Sequence, residues 1–263
     1  MSSIKRIEDI IDHVVIAVSN KLPFSLIRFG DGGLKIMHNY LNGNVKYHNS
    51  WRQEGIPMDY FNTLIRQWVL AANEADYIDS HAVYFEDDLH SKRHKTSQLV
   101  WDLMANWKET YDRIGINTDR VYCSSEAGSL LFLDKYKTDL VTLLEGCKVC
   151  CITNFYEIES ILGKYFDVTV KLIPGFFGNH FDVCFKSIIE EIRLEANKYD
   201  IWLLGAGELG RIYSGEIRRC GGRCLDLGKT FNIWVNRKMD KRLSRMLTLS
   251  DKHELLFTEQ SYE

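Results

Sequence analysis

The stretch YDIWLLGAGELGRIYSGEIRRCGGRCLDLG, residues 199–228, reads as strand, glycine turn, helix and strand again. Ile201 to Leu204 is an apolar run too short for a buried helix and bounded by a glycine turn, which predicts a buried strand. The helix follows over 208–222, and RCLDLG at 223–228 is the next strand. Upstream the same alternation recurs. RVYCSS (120–125), CKVCCITN (147–154) and DVTVKLIPG (167–175) read as strands, each followed by a helical segment: 126–136, 155–165 and 182–198. Strands alternating with helices imply a mostly parallel sheet covered on both faces and joined by right-handed crossovers. The expectation is an α/β protein, a single Rossmann-like domain over residues 1–234, followed by a basic helical tail at 235–263.

The amino-terminal part fits the same scheme. Ile4, Ile7, Ile10, Ile11, Val14, Val15 and Val18 recur at helical spacing. PFSLIRFGDGGLKIM (23–37) is a strand from Phe24 to Phe29, a glycine turn carrying Asp31, and the start of a helix. A helix over 59–75, a short strand over 77–84 and a helix over 94–110 follow. Arg28 is out of place in a buried strand unless an anion answers it. Asp31 reads either as a plain cap of the next helix or as part of a site for a phosphate or metal.

Composition narrows the function classes. The chain has 263 residues, 45% hydrophobic and 26% charged, with a formal net charge of −3. No basic excess points to nucleic acid, and the short apolar patch Val14 to Val18, preceded by acids, fits neither a signal peptide nor a membrane span. A cytoplasmic protein is expected. Seven cysteines lack the spacing of a disulfide framework. Cys147, Cys150 and Cys151 flank an apolar strand and read, like Cys220 and Cys224, as buried thiols rather than zinc ligands. His90 and His94, beside Glu86, Asp87 and Asp88, read as a solvated polar face.

In parallel sheets ligands bind beyond the carboxyl ends of the strands. The strand-end loops are therefore the candidate site: Gly30 to Gly33, Ser124 to Glu126, Thr153-Asn154, Pro174-Gly175, Gly205 to Glu208, and Asp226 to Lys229. GAGELG at 205–210 matches the dinucleotide pattern G-x-G-x-x-G, with Asp226 where a ribose-binding acid would sit. The residues after Asp226 hold no further strand–helix unit, so a phosphate or nucleoside diphosphate fits better than a whole dinucleotide.

Two separated pieces resemble the GT-D-type glycosyltransferases. SLIRFGDGG (25–33) is similar to that family's R-F-G-D-G-E signature, and residues 203–234 resemble its closing unit. The resemblance implies transfer of a sugar from a nucleotide diphosphate donor, typically a UDP-sugar, to a growing bacterial glycan. It also implies a divalent cation, Mn or Mg, held against the donor pyrophosphate by the acids of the signature. Here Asp31 is present as catalytic and metal-binding candidate, but Gly33 stands where the family has glutamate. Either another acid, Glu126 or Glu208, replaces it, or the ion is held by Asp31 with phosphate oxygens and water, or no metal is used; Glu126, Glu208 and Asp226 are candidate general bases. The expected nucleotide-binding set is Arg28, Gly30, Gly32, Gly33, Gly205, Gly207, Glu208, Asp226 and Lys229. Two other readings stay open: another Rossmann-type nucleotide-dependent enzyme, or a silent nucleotide-sugar binder. Arg237, Lys238, Lys241, Arg242 and Arg245 in the tail read either as one solvated face of a surface helix or as peripheral contact with an anionic membrane carrying a lipid-linked glycan acceptor.

Overall fold

The structure is a computed structural model. It describes residues 7–43, 58–80, 106–119, 122–123, 131, 142–175 and 180–236. Seven strands form one sheet: β1 (Phe24–Phe29), β2 (Tyr77–Ser80), β3 (Tyr122–Cys123), β4 (Lys148–Thr153), β5 (Asp167–Leu172), β6 (Ile201–Gly205) and β7 (Arg223–Asp226). Their order is β3-β2-β1-β7-β6-β4-β5, and every pairing is parallel. The last strand in sequence thus lies in the middle of the sheet, hydrogen-bonded to the first. Parallel neighbours need a crossover between them, and the helices supply it.

The alternation of side chains along each strand sorts the helices into two layers. Ile27, Phe29, Ile78, Ile152, Trp202 and Leu204 point to one face. That face is covered by α2 (Asp31–Leu41), α3 (Met58–Glu74), α4 (Trp107–Ile114), α6 (Lys186–Glu195) and α7 (Gly207–Arg219). Phe24, Leu26, Val149, Cys151, Leu203 and Leu225 point to the other. There α1 (Ile7–Ser19), α5 (Glu157–Leu162) and α8 (Thr230–Asn236) close the second layer. Penultimate β4 is buried from Val149 onward, whereas edge strand β5 is half-buried along most of its length. Both match a sheet sandwiched between helices.

Several expected boundaries move. Of the helix expected over 94–110 only residues 106–110 are described, and there α4 begins at Trp107, with Asn106 at its N-cap, and runs on to Ile114, where Gly115 at φ 92 supplies the left-handed stop. Residues 81–105, which hold His90, His94 and the far end of the strand expected to reach 84, lie outside the described residues, as does most of the helix expected over 126–136. The helix expected over 182–198 opens with a wider π turn, Phe181–Phe185, before α6. The expected domain end after Trp234 falls inside α8, whose Phe231, Ile233 and Trp234 are core residues. The basic tail beyond it is outside the described residues.

Helix α7 is buried along nearly its whole length between the sheet and its neighbours α3 and α6. A Cβ at Gly215 would come within 2.8 Å of the Ala71 Cβ and 3.2 Å of its Cα. Gly215→Leu should therefore force the two helices apart and lower unfolding free energy by about 2–3 kcal/mol, as overpacked cores do. Chemical denaturation checks this, and an unchanged midpoint would mean that the helices yield freely.

Candidate active site

The site is built where β1, β2, β6 and β7 end. After Phe29 the chain turns at Gly30, which occupies the N-cap of α2 with extended backbone and no side-chain cap. Asp31 is the first helical residue, so it is not the cap that the simpler reading made it. The Leu34 amide closes the turn on the Gly30 carbonyl at 3.2 Å.

Arg28 finds its anion on the neighbouring strand. Register places it opposite Asp79 of β2, with Nε 3.9 Å from the fully buried carboxylate. On its other side the guanidinium abuts Gly228, whose φ of 51 is the left-handed region. An L side chain there would be strained and would also displace Arg28. Asp226 at the end of β7 is 3% exposed. Its carboxylate accepts hydrogen bonds from the backbone amides of Gly228, at 3.2 Å, and of Arg28. Burial pushes its pKa up to about 6, against the opposing pull of Arg211 and Arg28. It sits beneath the surface as an internal anion, not at the rim where a ribose contact or general base was expected.

The second glycine turn brings the most connected residue. Ala206 caps α7, Gly207 takes φ 55, and Glu208 begins the helical face directed at the first turn. Arg211, one turn later, is 5% exposed. Its Nε donates to the Arg28 carbonyl at 2.6 Å and a terminal nitrogen pairs with the Glu208 carboxylate. The guanidinium carbon lies 4.9 Å from the Phe29 ring centre and 4.6 Å from that of Trp68. Trp68 in turn donates its indole N–H to the Glu208 carbonyl at 3.0 Å. Burial lowers the Arg211 pKa to about 10, which still leaves it charged at neutral pH. Behind it Ser80 and Tyr111 share a hydrogen bond of 3.1 Å, and burial raises the Tyr111 phenol to about 12.

This network explains Gly33. A Cβ there would stand 2.9 Å from an Arg211 terminal nitrogen and 3.3 Å from the Phe29 ring, so an Arg211 held from three sides fills the space a side chain would need. Glu208 lies over the same turn, its Oε1 3.5 Å from where a Gly32 Cβ would project. Each described acid here already faces a guanidinium: Asp79 faces Arg28, Glu208 faces Arg211, and Asp226 lies near both. A divalent cation bridging phosphates wants several hard oxygen ligands. Among the described residues no group of three acidic, histidine or cysteine side chains could hold one. The described residues at this turn do not fit the implied metal.

The structure thus brings together Arg28, Gly30, Gly32, Gly33, Glu208 and Asp226. Gly205 packs its Cα face against the Phe231 ring, and Lys229 is exposed between β7 and α8. Glu126 and the side chain of Asp31 lie outside the described residues. Asp79, Trp68 and Arg211 were not foreseen. An acid in the strand over 77–84 was the available signal for Asp79, because Arg28 demanded an anion.

No protein-family model matches the chain, and no curated protein does. Solved structures do. One is described as a new glycosyltransferase (DUF1792) from Streptococcus sanguinis, with 16% identity and a TM-score of 0.58 over 92% of this chain and 87% of that one. A second, described as the highly conserved domain of unknown function 1792 with a distinct glycosyltransferase fold, is 15% identical with a TM-score of 0.52, covering 95% and 91%. A third structure of the same domain is 14% identical with a TM-score of 0.52, covering 86% and 80%. This chain has that distinct glycosyltransferase fold.

The buried acid gives a signed pH prediction. With a folded pKa of about 6 against an ordinary value of 3.8, Asp226 binds more protons folded than unfolded across that interval. Its contribution to stability is present below the lower value and is lost as pH rises through the upper. Asp226→Asn removes this titration. The stability difference between variant and wild type should shift in the variant's favour from about pH 4 to pH 6 and then stay level. Melting curves over that range check it, and a shift in the opposite sense would mean that the two arginines outweigh burial.

Proposed function

We propose that the chain is a glycosyltransferase that takes its sugar from a nucleoside diphosphate donor, with the diphosphate held over the carboxyl ends of β1, β6 and β7. The observation that carries this reading is the convergence of two glycine turns, Gly30 to Gly33 and Gly205 to Glu208, with Arg28 and Arg211 between them. Backbone amides at the start of a helix and nearby cations both favour phosphate. Glycosyl transfer builds negative charge on the departing diphosphate, and preorganised amides and guanidiniums are what stabilise such a charge. Asp31, at the first position of α2, is the residue proposed to orient the donor at the reacting bond.

The donor is proposed to be a UDP-sugar and the acceptor a glycan, lipid-linked in the fuller version of the reading. Glu126 is the acid proposed for deprotonating the acceptor hydroxyl, Glu208 being paired with Arg211. Among the described residues no helix is long and apolar enough to cross a membrane. The run Arg237 to Arg245 is proposed to hold the protein at an anionic lipid surface by charge, reversibly with salt. The chain truncated after Asn236, which keeps α8 whole, should lose co-sedimentation with anionic liposomes that the full chain shows at low ionic strength. Equal sedimentation of the two would remove the tail from the reading.

A thermal-shift screen tests the donor. Saturation at a hundred times the dissociation constant stabilises by about 2.7 kcal/mol, so UDP or its sugars should raise the melting temperature where NAD and S-adenosylmethionine do not. Asp31→Asn should abolish sugar transfer while costing no more than about 1 kcal/mol of stability, the scale of a first-turn dipole contact. Wild-type turnover by this variant would remove Asp31 from the chemistry.

A further inference from the structure

The position that carries an acid in the resembled signature is here a glycine with a guanidinium packed on it. We infer that Gly33 and Arg211 form a matched exchange: the glycine makes room for a fixed internal cation, and anion binding at this site does not use a divalent metal. Arg211 is not an adventitious neighbour of Gly33. Its terminal nitrogen would lie 2.9 Å from a Cβ at that position, and four other contacts hold it: the Arg28 carbonyl, the Glu208 carboxylate, and the Phe29 and Trp68 rings. A side chain in place of Gly33 would require the Arg211 guanidinium or the turn to shift.

Charge argues the same way. A divalent ion beside Gly33 would share its surroundings with a buried guanidinium, and in a dry setting like charges repel strongly. The carboxylate best placed to help such an ion is Glu208, whose Oε1 overhangs Gly32, but it is already paired with Arg211. The permanent positive charges of Arg28 and Arg211 lie under the turn where an anion would dock, on opposite sides of the sheet's carboxyl edge. Guanidiniums do not exchange with solvent and keep their charge across the working pH range. The exchange therefore converts a cation recruited from solution into one supplied by the fold. It rests on the donor reading only for the identity of the anion.

The exchange is tested by titrating Mn2+ into the full chain, without nucleotide, and following the free ion by electron paramagnetic resonance. Wild type should show no saturable binding. The double variant Gly33→Glu/Arg211→Met should acquire it, because a carboxylate is introduced at the turn and the loss of the guanidinium frees Glu208. Methionine keeps apolar volume against Phe29 and Trp68. Added Mn2+ should then raise the melting temperature of the double variant alone. Saturable Mn2+ binding by wild type that Asp31→Asn removes would overturn the inference, as would a folded double variant that ignores Mn2+. The wild-type titration needs no variant to fold. Melting with UDP in chelator and in Mn2+ separates the two ideas. An equal shift in both supports the exchange, and a shift confined to Mn2+ sinks it. No shift in either removes the nucleotide reading, while the direct titration still decides the exchange.

Discussion

A buried guanidinium holds this site together. Arg211 leaves water almost completely, which is costly for a charge unless partners replace the solvent. The protein supplies a carboxylate from Glu208, a carbonyl from Arg28 and two aromatic faces, Phe29 and Trp68. Those partners come from β1, α3 and α7, and Gly33 adds α2 by standing aside. Removing one member of a buried pair typically costs about 3–5 kcal/mol, since the other is left uncompensated. The relative placement of four elements is thereby tied to a single side chain.

The second consequence is electrostatic. β7 returns to the centre of the sheet and pairs with β1, which sets Asp226 and Gly228 against Arg28. Arg28 answers Asp79 on the strand to its other side. The result is a layer of alternating charge under the glycine turns, with the acids buried and committed. Such a layer fixes the positions of the cations without water having to reorganise around them, which is the condition for stabilising charge that develops on a bound group.

Much of this was legible in the chain itself. The apolar runs at 24–29, 148–153 and 201–205 were short, glycine-bounded and buried, and they are the strands β1, β4 and β6. The helical spacing of Phe61, Leu64, Ile65 and Trp68 placed the inner face of α3. Helix ends were less legible. The helix expected over 94–110 stopped short of Tyr111, which is fully buried, and Gly115 provides the stop. Arg28 announced that an anion was missing but not which one.

By itself the sequence determined the class of fold, because hydrophobic period and glycine punctuation are local properties that survive without knowledge of neighbours. It also determined that the ends of β1 and β6 would carry glycine turns, and that one charged residue in β1 needed an opposite charge. Only the tertiary structure decided the order of strands, since β7 could have lain at an edge and instead separates β1 from β6. That placement brings residue 211 within hydrogen-bonding distance of residue 28. It makes Asp79 rather than a nearer acid the described partner of Arg28, and it turns Gly33 from a missing ligand into a space occupied by Arg211. The physical reason is that burying a charge selects partners by proximity in three dimensions, and no spacing along the chain encodes which side chain will fill the volume a glycine leaves open.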